Sequence, residues 1–322
     1  IGLCRSAFSS EPLCRHRDVV ATTLAGFAPP LLAASPGNRA NHPGQNLCAL
    51  GALRGGRGHP TGESRPLPTS RCRQSEHGCA QVRNALGILY SNQGRFAQAE
   101  EHYRACLAIF AAHGYQRGLA NVSNNLGSNF ARNGNYRQAL LLYEQTYTLA
   151  QTVGEALMIA IALSNLGSVA RALGDYPAAQ QYYVESLIGC RAIGERRWTA
   201  ATLNGLGLTQ LEQGRLAEAH GHYAEALTIA QEIGSKSDVL DALAGLGEIA
   251  LQGGNGQQAA AILHFVAQHP VTQLPARQRS QQLLVQRQGQ LIPEAHSATV
   301  AQTVANLDWT TVIALATDRS VT

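Results

Sequence analysis

At 322 residues and 45% hydrophobic content the chain is long enough for two compact domains, and its formal charge of +4 would favour anionic partners if it lay on one folded surface. It does not: residues 81–260 carry 12 basic against 14 acidic groups, while residues 1–80 carry 9 arginines against 4 acids. A basic stripe able to displace counterions from nucleic acid is therefore excluded from the middle of the chain, and no nucleic-acid partner is expected for it.

Residues 1–76 hold 8 of the 12 prolines and show no sustained periodicity. Such a stretch buries too little apolar surface to offset its ordering entropy, so it is predicted to be disordered. Opening on Ile1 rather than Met, it reads either as part of a fragment or as a mis-called leader from a neighbouring frame. Within it, residues 19–34, preceded by Arg5, Arg15 and Arg17 and ending in Ala33-Ala34-Ser35, imitate a secretory signal. Gly26, Pro29 and Pro30 break the run, which falls short of the roughly 18 apolar residues of a membrane span. The expectation is a cytoplasmic protein with no membrane partner. Cys72 and Cys79 have the wrong separation for a zinc pair, and neither metal nor cofactor is expected.

From 77 to 268 one pattern recurs every 40 residues: Asn84-Ala85-Leu86-Gly87, Asn124-Asn125-Leu126-Gly127, Ser164-Asn165-Leu166-Gly167, Asn204-Gly205-Leu206-Gly207 and Ala244-Gly245-Leu246-Gly247. A second glycine follows seven residues later (Gly94, Gly134, Gly174, Gly214, Gly254), then an alanine (Ala99, Ala139, Ala179, Ala219, Ala259). A period of this size means a solenoid. In the second unit Leu119, Val122, Leu126 and Phe130 make one apolar stripe, predicting a helix over 116–133 that Gly134 ends. Ala139, Tyr143 and Tyr147 predict its antiparallel partner from Tyr136 to Val153. Gly127 is expected to meet Ala139 where the two helices approach, with Tyr103, Tyr143, Tyr183 and Tyr223 wedged between successive pairs and Leu263 taking that place in the fifth. Arg196-Arg197-Trp198 is expected in the loop before the fourth pair.

Residues 269–322 lose the period and are predicted to form a helical cap over the last repeat, with helices at 276–288, 295–306 and 308–317, the last capped by Asp308.

Leu-Gly, the turn glycine, and the aromatic residue followed by Ala-x3-Tyr (Phe96 and Ala99 to Tyr103; Tyr136 and Ala139 to Tyr143; Tyr176 and Ala179 to Tyr183) resemble the tetratricopeptide repeat. The unit has six residues more than the common 34, taken up in the second helix and in a longer loop around Gly114, Gly154, Gly194 and Gly234. This version is similar to that of kinesin light chains and of the sensor arms of signal-transduction ATPases with numerous domains (STAND) and of LuxR-type and antibiotic-regulatory activators. The resemblance implies an all-α fold: a right-handed superhelix of about five helix pairs whose first helices line a concave groove. There Asn84, Asn124, Ser164 and Asn204 form a row of side chains able to grip an extended peptide, joined by Arg132 and Arg171 as receptors for acidic groups. Asn121, Ser128, Ser168, Leu208, Glu212, Asp241 and Glu248 fall on the same face.

Enzymatic chemistry finds no footing. His220 and His222 lie two apart on a helix and point to different faces, Lys236 follows Gly234-Ser235 in the wrong order for a phosphate loop, and no nucleophile elbow occurs. The expected function is a protein- or peptide-binding scaffold, the sensing or assembly arm of a bacterial signalling or transcriptional regulator; 24 arginines against a single lysine fit a GC-rich bacterial source. The alternatives are a piece of a larger STAND ATPase or DNA-binding activator, and a freestanding structural adaptor. Neither the partner's identity nor the oligomeric state is written in the sequence.

Overall fold

The structure, a computed structural model, describes residues 69–286 and 308–317. Twelve helices occur among them: α1 (Thr69–Asn92), α2 (Phe96–Ala112), α3 (Gln116–Arg132), α4 (Tyr136–Val153), α5 (Ala156–Ala172), α6 (Tyr176–Ala192), α7 (Arg196–Glu212), α8 (Leu216–Glu232), α9 (Lys236–Gln252), α10 (Gly256–Gln268), α11 (Leu274–Gln286) and α12 (Trp309–Thr317). From α1 to α11 each packs on the next, giving five consecutive pairs from α1–α2 to α9–α10 with α11 following on α10, while α12 packs back on α10 and α9. The first helix begins at Thr69, ahead of the boundary set at 77, because a helix can continue past the point where its apolar stripe stops. The predicted disorder of residues 1–76 concerns mainly residues outside those described, as does the helix expected over 295–306.

One turn is used throughout. Nine glycines from Gly94 to Gly254, spaced 20 residues apart, have φ between +62° and +85°, the left-handed region a side chain disfavours. The residue after each glycine donates its N–H to a carbonyl five residues back: Asn135 to Phe130 at 2.8 Å within a pair, Tyr115 to Phe110 at 2.9 Å between pairs. Turns within and between pairs are thus alike, and most connections are three residues long. The extra length of the 40-residue unit therefore goes into helix, not into a longer loop. Trp198 accordingly sits in the first turn of α7 rather than in a loop, with the Glu195 side chain accepting the Arg197 N–H at 3.1 Å as its cap.

Packing is set by ring on glycine. A Cβ on Gly127 would stand 2.8 Å from the Tyr143 ring, so the close approach is to that tyrosine and not to Ala139, itself fully buried. Tyr183 lies against Gly167 of its own pair and Gly205 of the next, and Tyr223 against Gly207 and Gly245. Beyond the fifth pair, Val312 of α12 is fully buried in the core of the last repeats, Trp309 meets Phe265 edge-on at 5.2 Å, and Asp308 caps α12 by accepting the Thr311 N–H at 2.8 Å. No helix among the described residues is long and apolar enough to cross a membrane.

Candidate binding groove

The row predicted from the repeat register divides in two. Asn84 and Asn124 are half-buried, and each is held by the following unit: Asn125 Nδ2 donates to Asn84 Oδ1 at 3.0 Å, and Asn165 Nδ2 to Asn124 Oδ1 at 2.8 Å. Their acceptors are used, and among the described residues nothing accepts from their Nδ2 groups, so this end of the row offers donors. The ladder stops where the next rung is Gly205. Ser164 is buried, its hydroxyl accepting from Thr202 Oγ1 at 3.4 Å, and Asn204 is buried with Nδ2 donating to the Asp238 carbonyl at 3.1 Å.

The two arginines also serve neighbouring units. Arg132 Nη1 donates to Asn92 Oδ1 at 2.8 Å and to Ser91 Oγ at 3.3 Å. Arg171 Nη1 reaches both carboxylate oxygens of Glu212, at 2.9 and 3.1 Å. Glu212 is shared with Arg279 of α11 at 3.1 Å, and Arg279 also clasps Glu248 through Nε at 2.6 Å and Nη2 at 3.1 Å. Four charges on α5, α7, α9 and α11 thus form one chain, in which partial burial strengthens each link over an exposed pair and a two-point contact adds to the Arg171–Glu212 and Arg279–Glu248 links. Sequence reasoning placed Glu212 and Glu248 on the groove face but missed Arg279. The available signal was complementarity between an acidic end of the groove and an arginine-bearing tail helix.

As a result the tail helix does not stop at the end of the stack. Gln273, Pro275, Ala276 and Arg279 wall a cavity of about 640 Å³ whose other sides come from α5, α7 and α9, with Tyr183 of α6 and Tyr223 of α8 also in its lining. Ser164, Asn204, Arg171, Trp198, Asp238 and Asp241 all face it. Burial, with Asp238 one turn away on the same helix, pushes the Asp241 carboxyl up to about 7. The Tyr143 and Tyr183 hydroxyls, also raised by burial, stay neutral and act as packing groups.

A single-file stack of helix pairs with one groove, walled at one end by its own tail helix, defines an α-solenoid. Residues 78–152 and 158–232 match one tetratricopeptide-repeat family model and residues 204–264 a second, and the chain belongs to the tetratricopeptide-repeat proteins. Repeats of this family build protein-binding scaffolds. No curated protein matches the sequence. Among solved structures, a Rap protein complexed with competence and sporulation factor is similar at 13% identity and a TM-score of 0.53, over 75% of this chain and 73% of that one. BtubC (BKLC) from P. vanneervenii is similar at 16% identity and 0.51, over 74% and 86%. Aspartyl phosphate phosphatase F from Bacillus subtilis is similar at 13% and 0.51, over 74% and 64%. At these identities the likeness is one of fold.

Proposed function

We propose that the groove holds an extended segment of a partner protein, and that the array is the sensing or assembly arm of a bacterial signalling or transcriptional regulator. The observation that carries the binding reading is the pair of Nδ2 donors on Asn84 and Asn124, without an acceptor among the described residues, fixed by the next unit and 40 residues apart in sequence. Donors held in place beforehand lose little freedom on meeting backbone carbonyls, which is what a sequence-tolerant grip requires. Ser164 and Asn204 line the deeper part of the trough, and Arg132 and Arg171 set its charge while joining repeats. The regulatory role rests on resemblance of the 40-residue unit to sensor arms. Coding sequence next to this chain would separate it from a larger STAND ATPase or DNA-binding activator and from a freestanding adaptor.

The test uses acetylated, amidated nonapeptides of random sequence passed over the immobilised full chain. Retention is expected, and Asn84→Ala with Asn124→Ala is expected to lower it about tenfold, the loss of two hydrogen bonds of about 0.5–1.5 kcal/mol each. Unchanged retention with an intact helical spectrum would remove the amide row from the mechanism.

A further inference from the structure

The deep cavity has a corner that its own residues leave short of hydrogen-bond donors. Asp238 and Asp241 stand one turn apart on α9 and both face the cavity. Among the described residues, no donor or ion-pair partner reaches the Asp241 carboxyl, and the Asp238 carboxylate receives only the Ser235 hydroxyl. On the facing helix α7, Asn204 is 9% exposed, lines the same cavity, and its Oδ1 has no hydrogen-bond partner. Two carboxylates and an amide oxygen, all acceptors, are thus gathered at one place.

Three arginines line the same cavity without balancing that corner. The charges of Arg171 and Arg279 are held by Glu212 and Glu248. Arg197 is exposed, and no ion pair joins it to either aspartate. Trp198 adds an indole to the lining, a surface that attracts a cation lying over its face.

Resting on the peptide-binding reading above, we infer that this corner is a specificity pocket for the basic side chain, arginine or lysine, of the segment held in the groove. A guanidinium or ammonium brings several donors and one positive charge to a place that has acceptors and uncompensated negative charge. Arginine suits it better than lysine, because its planar fork spans two acceptors at once and stacks on an aromatic ring. The backbone of the segment would then run along Asn84 and Asn124, while one side chain turns down into the cavity between α7, α9 and the tail helix.

Four pools of acetylated, amidated nonapeptides, random except for a central Arg, Lys, Gln or Glu, are offered to the immobilised full chain. The Arg and Lys pools are expected to be retained about tenfold over the Gln and Glu pools. Asp241→Asn, which keeps shape and removes charge, is expected to erase that preference with the helical spectrum intact. Asn84→Ala with Asn124→Ala is expected to weaken all four pools alike and keep their ratio. Equal retention of the four pools, a preference for Glu, or an Arg and Lys preference that survives Asp241→Asn overturns the basic-side-chain pocket and leaves peptide binding standing. Retention of no pool at all overturns the peptide reading itself. Putrescine alone, titrated by calorimetry, is expected to bind at least tenfold more weakly than the Arg pool. Equal or tighter binding assigns the corner to a free amine and overturns the peptide-borne source.

Discussion

The first and last pairs of the array use the same backbone turn and different glue. Between the first three pairs, the residue before the landmark leucine is Asn125 or Asn165, and its amide stitches one unit to the previous one. Between the last three it is Gly205 or Gly245, and the preceding pair's tyrosine lies directly over the backbone there. One position therefore trades an amide bond for ring packing: Asn125 and Asn165 are half-open to the groove and bonded across the junction, whereas Gly205 and Gly245 lie against the Tyr183 and Tyr223 rings. The stretch built with glycines is also the one the tail helix crosses. A solenoid can thus keep a constant step while its inner wall passes from an open polar track to a walled cavity.

The sharpest way to break that comparison is Gly245→Ala. The added methyl would overlap the Tyr223 ring, which Gly207 confines from the other side, so neither the ring nor the backbone can give way cheaply. A loss of roughly 3 kcal/mol in urea unfolding is expected. Ala85, at the same position of the first unit, is exposed, and among the described residues no pair precedes it, so it carries its methyl freely. Unchanged stability in Gly245→Ala would mean that ring and glycine are not what joins the last pairs.

A smaller effect, and one that depends on pH, is expected from Asp241→Asn. The carboxyl titrates near 7 in the folded chain against 3.8 for an ordinary aspartate, through burial and then the Asp238 charge. The charged groups around it are Asp238 on the same helix, Arg171, Arg197 and Arg279 across the cavity, and Lys236 at the start of α9. A raised carboxyl pKa makes the folded state bind the proton more tightly, so this group lowers stability as pH rises from about 4 to about 7. The variant should match the parent below pH 4 and exceed it above pH 7 by roughly 2 kcal/mol, about half the full displacement because the side chain faces the groove. A difference that stays constant from pH 4 to pH 8 would contradict the burial of this charge.

Much of the architecture was legible because a period is insensitive to local ambiguity. Five copies of Leu-Gly and nine turn glycines place every helix of the array, and the second pair runs from Gln116 to Arg132 and from Tyr136 to Val153, within a residue of expectation. Three things were not legible. Small residues mark close approach and so point Gly127 at Ala139, but a glycine can equally make room for a ring on the other helix, here that of Tyr143. The hydrogen bonds that hold Asn84 and Asn124 come from residues 41 positions away, a distance at which no local pattern reports. The walling of the groove depends on Arg279, which lies outside the repeat and so outside the register that organised every other inference.

The smallest expected effect sharpens the comparison from the other end. Asn165→Ala removes the bond to Asn124 Oδ1, and because both side chains are half-buried, water can replace the lost donor. The cost should be close to 1 kcal/mol, well below that of the glycine substitution. Since stability in a stacked array is nearly a sum of unit and interface terms, the loss should stay at the junction of α3 and α5. Amide hydrogen exchange should therefore quicken in α1 to α4 and stay at the parental rate in α7 to α10. Uniform acceleration along the whole chain would instead show that the array unfolds as one unit, and that amide-stitched and ring-packed junctions do not differ in how far they transmit a local weakness.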